Sequence, residues 1–351
     1  MATNIERIRA LESRATVVEK RLAMVEATLT QVMSRVSTVE GATIALAARV
    51  TALEAPLPPA ATLLSGAAGD GVADGSFGAW RGSPVQVAGT WNDSFEGQTE
   101  LWTIQPGSEY GSWTGPLDIA IGAIYKDRGE SWANAASGVY DARWVQSICA
   151  IRSRRGSAPT YIRFAHEFNG NWVPWSVLGT EAASFVAAWK RFAAIARREF
   201  PEARLVFCPN DGTSSSLNLD WRTCFPGATH VDVLGVDSYN QYPWVNTAVG
   251  FTLKINRGDT LGAPTGIEQH RLFAETAGLP FAICEWSSNA DMGDAPEYMR
   301  QFRAWLDANK GAGPGKVVYE VLFNVSAGFS QFQVYPVTKQ PQAAAVYRDL
   351  W

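Results

Sequence analysis

Eight short apolar runs separated by helical patterns constrain this chain more than any other feature. They are Val85–Gly89, Leu101–Gln105, Leu117–Ile124, Tyr161–Ala165, Leu205–Cys208, Val231–Val236, Phe281–Cys284 and Val317–Phe323. Runs of this length suit strands buried on both faces, which lose the alternation of a half-exposed sheet. Helical periodicity follows several of them, at Ala142–Arg155, Glu181–Glu199, Glu268–Ala277 and Pro296–Ala308. Strand–helix alternation makes successive strands parallel. Eight such units in the 268 residues from Pro84 to Trp351 predict an α/β fold, a closed (β/α)8 TIM barrel. No GxGxxG or phosphate-binding glycine loop follows any run, which counts against a nucleotide-binding open sheet.

The first 54 residues have a different grammar. One heptad position reads Ile8, Ala15, Leu22, Leu29, Val36, Thr43, Val50; another reads Leu11, Val18, Val25, Val32, Val39, Leu46, Leu53. This unbroken spacing predicts a long α-helical coiled coil over residues 1–55, ~75 Å long at ~1.5 Å per residue. Arg14, Arg21, Arg35 and Arg49 would meet Glu19, Glu26, Glu40 and Glu54 of a neighbour, which selects parallel, in-register self-association. Four successive valines at one core position favour a trimer over a dimer. The alternative is a single amphipathic helix packed on its own barrel. Pro56, Pro58 and Pro59 end the helix, and the Gly/Ala-rich stretch to Ser83 reads as a linker, 56–83, ahead of a catalytic domain at 84–351.

Composition narrows the functional classes. The formal net charge of −4 leaves no basic face for nucleic acid. No run reaches the roughly 18 apolar residues of a membrane span, and the start lacks the apolar core of a secretory signal. With three histidines, and four cysteines without CxxC spacing, neither a metal site nor a cofactor is expected. Several of the 14 tryptophans must be core, but so many indole rings favour a surface that stacks on planar or sugar-like ligands.

Chemistry concentrates at two strand ends. Tyr161-Ile-Arg-Phe-Ala-His-Glu-Phe-Asn-Gly-Asn-Trp-Val-Pro-Trp175 runs from a buried strand into Glu167 and an aromatic loop; Pro280-Phe-Ala-Ile-Cys-Glu-Trp286 ends another strand in Glu285. In a barrel both carboxylates reach the same face, the arrangement in which one protonates a glycosidic oxygen while the other attacks the anomeric carbon. The competing reading pairs each glutamate with an inward arginine such as Arg163.

The segment Arg163–Trp175 resembles the acid/base motif of glycoside hydrolase family 26, the β-mannanase-type barrels of clan A. Arg204-Leu-Val-Phe-Cys-Pro-Asn210, Phe225-Pro-Gly with Val231–Tyr239, and Pro280–Glu285 resemble its strands 5, 6 and 7 in order. The resemblance covers the barrel and none of the heptads. It implies a retaining glycosidase with Glu167 as acid/base and Glu285 as nucleophile. His166 would line the catalytic subsite or orient its neighbours. Tyr239 would hydrogen-bond the nucleophile or simply cap its strand. Trp172 and Trp175 would form the sugar platform, and Asn210 would contact the sugar or a carboxylate. Trp91 and Trp286 are either further platforms or core; Trp244 is either a lid contact or a subsite, and Asp237 reads as structural. After strand 8 the chain reads Leu-Phe-Asn-Val-Ser, without the tryptophan expected of clan A. Mannan, another β-linked glycan and a bacterial envelope polysaccharide all fit, with endo or exo action.

A trimeric rod without a secretory signal, fused to a glycan hydrolase, is similar to phage tail-associated enzymes. The expected setting is therefore a virion, with other tail proteins as partners and release by lysis. A second reading keeps the barrel as a carbohydrate-binding tail adhesin that does not cleave, which leaves the two glutamates without a purpose.

Overall fold

The computed structural model describes residues 63–351; the predicted coiled coil and its trimer lie outside the described residues. Eight parallel strands close a barrel in chain order: β1 (Leu64–Gly69), β2 (Val87–Asn92), β3 (Leu117–Ile121), β4 (Thr160–Phe164), β5 (Arg204–Phe207), β6 (Val233–Asn240), β7 (Phe281–Ser288) and β8 (Val317–Asn324). β1 closes the ring against β8 from Leu64↔Tyr319 to Gly69↔Asn324. The helices Asp141–Arg155, Ala182–Glu199, Ile267–Ala277 and Pro296–Asn309 fall within a residue of the periodic stretches. In Ala182–Glu199 the buried side chains Phe185, Ala188, Trp189, Phe192 and Ala196 recur every three or four residues, one stripe turned to the sheet.

Two expectations need correction. The stretch read as a linker, 56–83, contains β1 and the helix Ser76–Arg81, so the barrel begins at Leu64 and not at Pro84. β1 is Leu-Ser-Gly-Ala-Ala-Gly, and such small residues carry little apolar signal. They are small because space is short: a Cβ on Gly66 would lie 2.3 Å from the Val87 carbonyl oxygen. The run Leu101–Gln105 is no strand. Leu101 takes a left-handed φ of 50° and Trp102–Ile104 forms a 3-10 turn. One strand missed and one invented offset each other, which leaves Glu167 after β4 and Glu285 on β7 as expected.

Side chains alternate between the barrel interior and the layer under the helices. Ala68, Val87, Val206, Cys208, Val233, Ala282, Cys284, Tyr319 and Val321 make one apolar cluster inside the ring. Their strand neighbours, including Ile119, Ile162, Leu205, Leu234, Ile283 and Leu322, belong to the larger core under the helices. β7 breaks the rule once. Cys284 points inward, so strict alternation would turn Glu285 outward. Between β6 and β7, however, the pairing jumps from Val236↔Ile283 to Asp237↔Glu285. The extra residue lets Cys284 and Glu285 both face the interior, the re-aiming that a β-bulge provides.

Candidate active site

Glu285 sits at the C-terminal end of the barrel, 5 % exposed. Its Oε1 accepts from Arg163 Nη1 at 2.6 Å and from the Trp91 indole at 2.6 Å; its Oε2 accepts from the Tyr239 hydroxyl at 2.7 Å. Arg163 is fully buried and also holds Asp118 at 2.8 Å and Asp237 at 3.2 Å. Three carboxylates thus share one guanidinium, and they do not ionise alike. Burial pushes Asp118 and Asp237 up, Asp237 well above the ordinary range. Burial also pushes Glu285 up, but the Arg163 charge and the hydrogen bonds from Tyr239 and Arg163 outweigh it, so Glu285 ends below the usual glutamate value.

Glu167 carries the opposite state. Burial first and the Glu285 charge second raise it to about 7, against the lowering effect of bonds from Asn210 and Trp172. Asn210 Nδ2 donates to Oε1 and the Trp172 indole to Oε2, both at 2.6 Å. The backbone here is strained: Ala165 and Glu167 have φ of 55° and 52°, a conformation that costs a non-glycine residue about 1–2 kcal/mol. Tertiary bonds hold it, with Ala165 N donating to Ile121 O at 3.1 Å and Glu167 N to Cys208 O at 2.8 Å. Gly170 lets the Trp172 ring fold back to Glu167, since a Cβ there would lie 2.4 Å from the indole.

The remaining expected site residues divide. Trp172 is 56 % exposed and offers an open ring beside the acid. Trp175 is buried, so it is no open platform; its indole donates to the His166 carbonyl at 2.6 Å and its ring lies 5.3 Å from the imidazole. Trp286 must be removed from the site. It is fully buried on the helix side of β7, stacks on Phe302 at 4.0 Å and donates to Glu320. Trp91 belongs to the site, though as a donor to Glu285, packed edge-on against Phe323. Phe323, on β8, also packs on Tyr239 and is the aromatic residue at the strand-8 end, where a tryptophan was expected. His166 is buried, and burial pushes its imidazole down to about 3, so it is neutral. Asp237 is indeed internal, bonded to Arg163.

Sequence reasoning missed Asn169, Asp118 and Asp93. Asn169 is fully buried and latches the β4 loop to the β5 loop: it accepts from Asn210 N at 2.8 Å and donates to Asn210 O and Gly212 O. Asn169→Ala therefore lowers stability by about 2–3 kcal/mol in denaturant titration and slows turnover, because Asn210 loses its anchor. Asp93 follows β2 directly, and a carboxylate at a strand end was the available signal. Among the described residues, the metal-ligating types that gather closely are Cys208, Asp237 and Cys284, within 4.8 Å of one another. Arg163 lies at hydrogen-bond distance from Asp237 and already supplies the cation there.

A cavity of ≈ 390 Å³ is lined by Asp93, Phe95, Tyr125, Arg128, Trp172 and Trp175, and Trp172 joins it to Glu167 through its indole hydrogen bond. Trp91→Phe tests the donor role: the lost charged hydrogen bond lowers kcat/KM about 10-fold and moves the acid limb of the pH profile upward, as Glu285 becomes easier to protonate.

A parallel barrel whose C-terminal end presents one glutamate raised to about 7 and one held below the usual value, beside the open ring of Trp172, defines a glycosidase. The model of the family described as glycosyl hydrolase family 26 matches residues 82–266. The chain belongs to glycosyl hydrolase family 26. The match contains Glu167 and ends before Glu285, whose place the bulge in β7 decides. Among solved structures the chain is similar to GH26C from Muricauda sp. MAR_2010_75, at 13% identity and TM-score 0.57 over 83% of this chain and 85% of that one. It is also similar to a modular endo-β-1,4-mannanase from Cellulomonas fimi, at 16% identity and TM-score 0.55 over 82% and 70%. A GH26 β-mannanase from Bacteroides ovatus aligns at 14% identity and TM-score 0.51 over 82% and 88%. At these identities the likeness is one of fold. No curated protein matches the chain.

Proposed function

We propose that this protein is a retaining hydrolase of a β-linked polysaccharide. The observation that carries the reading is that Glu167 and Glu285 meet at one end of the barrel with opposite partners, Asn210 and Trp172 on the first and the Arg163 guanidinium with Tyr239 on the second. In the first step a Glu285 oxygen bonds to the anomeric carbon while the glycosidic C–O bond breaks and the Glu167 proton passes to the departing oxygen. In the second, Glu167 as carboxylate takes a proton from water, whose oxygen displaces Glu285 from the anomeric carbon. Trp91, Tyr239 and Arg163 keep Glu285 ionised and aimed; Trp172 offers a stacking face beside the leaving group.

The solved mannanases of similar fold place β-mannan first in a substrate panel, followed by other β-glycans and bacterial envelope polysaccharides. The deciding experiment is NMR of the first anomer released. Initial β-anomer supports retention; initial α-anomer from a β-linked polymer would refute it. The heptads of residues 1–55 support display as a parallel trimer on a phage tail, where several barrels would engage one repetitive glycan. Sedimentation at micromolar concentration gives the mass of three chains on this reading, and a single-chain mass refutes it.

A further inference from the structure

β5 and β6 pair in register at Val206↔Val233 and Phe207↔Leu234. Above these the ladder gives way to one isolated bridge, Asn210↔Asp237. Yet this loosely paired stretch holds both glutamates, because the Asn210 amide donates to Glu167 and the Tyr239 hydroxyl to Glu285. A side-chain bond takes over where the ladder stops. Ser238, just before Tyr239, donates its hydroxyl at 2.7 Å to Oδ2 of Asp211, just after Asn210. Both residues are buried, and a hydroxyl-to-carboxylate bond out of water is a strong one. The Asp211 backbone is tied as well: its N–H donates to Asp237 O and its carbonyl accepts from Gly266 N, both at 2.9 Å. Gly212 N then donates to Asn210 Oδ1 at 3.1 Å, which leaves the amide nitrogen for Glu167.

We propose that Asp211 and Ser238 are positioning residues, a strut across β5 and β6 that holds the Asn210 amide on Glu167 and spaces it from Glu285; this rests on the glycosidase reading above. Double displacement needs its carboxylates about 5–5.5 Å apart. Regular structure fixes neither of them, since Glu167 follows β4 with a left-handed backbone and Glu285 stands at a bulge. The strut joins the immediate neighbours of their hydrogen-bond partners. It acts on the glutamates only through Asn210 and Tyr239.

The titratable groups facing the Asp211 carboxylate are Lys254 on the helix Ala248–Ile255, Arg257 just after it, His270 on Ile267–Ala277 and Tyr298 on Pro296–Asn309. Arg257 Nη2 stands 3.5 Å from Oδ2, while its Nη1 donates to Tyr242 O at 2.8 Å. Lys254 is buried and donates to Pro243 O at 3.1 Å; burial pushes it down to about 8, and the Asp211 charge opposes that fall. The loop that follows β6 is therefore held by two cations that look onto the same carboxylate.

The test is the pH profile of kcat/KM on the polymer that the wild type cleaves, with circular dichroism as the folding control. Ser238→Ala deletes one hydroxyl and keeps the backbone pairing of β6 with β7. It lowers kcat/KM roughly 5- to 20-fold, the scale of one buried hydrogen bond. It also moves the base limb upward by about half to one pH unit, because the Asn210 bond that lowers Glu167 slackens. Asn210→Ala moves that limb the same way, and the double variant moves it no further, as two residues acting through one bond require. Ser238→Thr, which restores the hydroxyl, returns the limb to its wild-type position. Asp211→Ala matches Ser238→Ala in the limb and is the less stable of the two, since it takes a carboxylate away from Lys254 and Arg257. A base limb unmoved in folded Ser238→Ala, or shifts of Ser238→Ala and Asn210→Ala that add, overturns the strut while the glycosidase reading stands. A wild type silent on every polymer overturns both.

Discussion

Glu285→Gln should lower kcat on the cleaved polymer by roughly 10⁴–10⁶-fold, the scale seen when a hydrolase loses its nucleophile, with little change in thermal stability. An amide of the same shape cannot form the ester bond to the anomeric carbon, so double displacement stops at its first step. The fold should survive because Arg163 keeps two other carboxylates, Asp118 and Asp237. Both are held high partly by the Glu285 charge; with that charge gone, they ionise more readily and neutralise the guanidinium in its place. Steady-state kinetics with circular dichroism as a folding control reads both halves. A variant with more than a hundredth of wild-type turnover would remove Glu285 from the nucleophile role.

Glu167→Ala should behave differently according to the leaving group. On polymer, where the departing oxygen needs a proton, kcat falls about 10²–10⁴-fold, the usual contribution of a positioned acid. On 2,4-dinitrophenyl glycosides the departing phenolate needs none, so the first step survives and the glycosyl–enzyme accumulates as a burst. Azide, which attacks without a general base, should restore turnover and yield the β-glycosyl azide. The pH profile gives an independent readout. Glu167 must be protonated to donate and is raised to about 7, so wild-type kcat/KM on polymer declines as pH rises through that value. Below it the acid stays protonated, and activity is lost only where Glu285, held below the usual glutamate value, takes up a proton. An unchanged base limb in Glu167→Gln would assign the acid elsewhere.

Much of the scaffold was legible because its signals are local. β4, β5, β7 and β8 are apolar runs that end where turn or catalytic residues begin, and the four helices declare themselves by period. β1 was illegible for the same reason inverted: at Gly66 the interior has no room for a side chain, and residues chosen for small volume look like a linker. The tryptophans show the limit most clearly. Trp91 and Trp286 are indistinguishable as strand-borne indoles in the sequence, yet one donates to the nucleophile and the other packs under a helix. Asp93 and Asn169 went unread because a single polar residue has no period and no motif; only its neighbours give it a role.

The sequence by itself determined the barrel class, the family motif and the two glutamates at strand ends, because strand order and strand-end position follow from chain connectivity. The heptads likewise stand on spacing alone. Tertiary structure decided which glutamate is ionised, since Arg163, Tyr239 and Trp91 come to Glu285 from three other strands. It also decided that Glu285 faces inward at all. That rests on one extra residue in the pairing of β7 with β6, and side-chain direction at a bulge depends on a partner strand that no local pattern records.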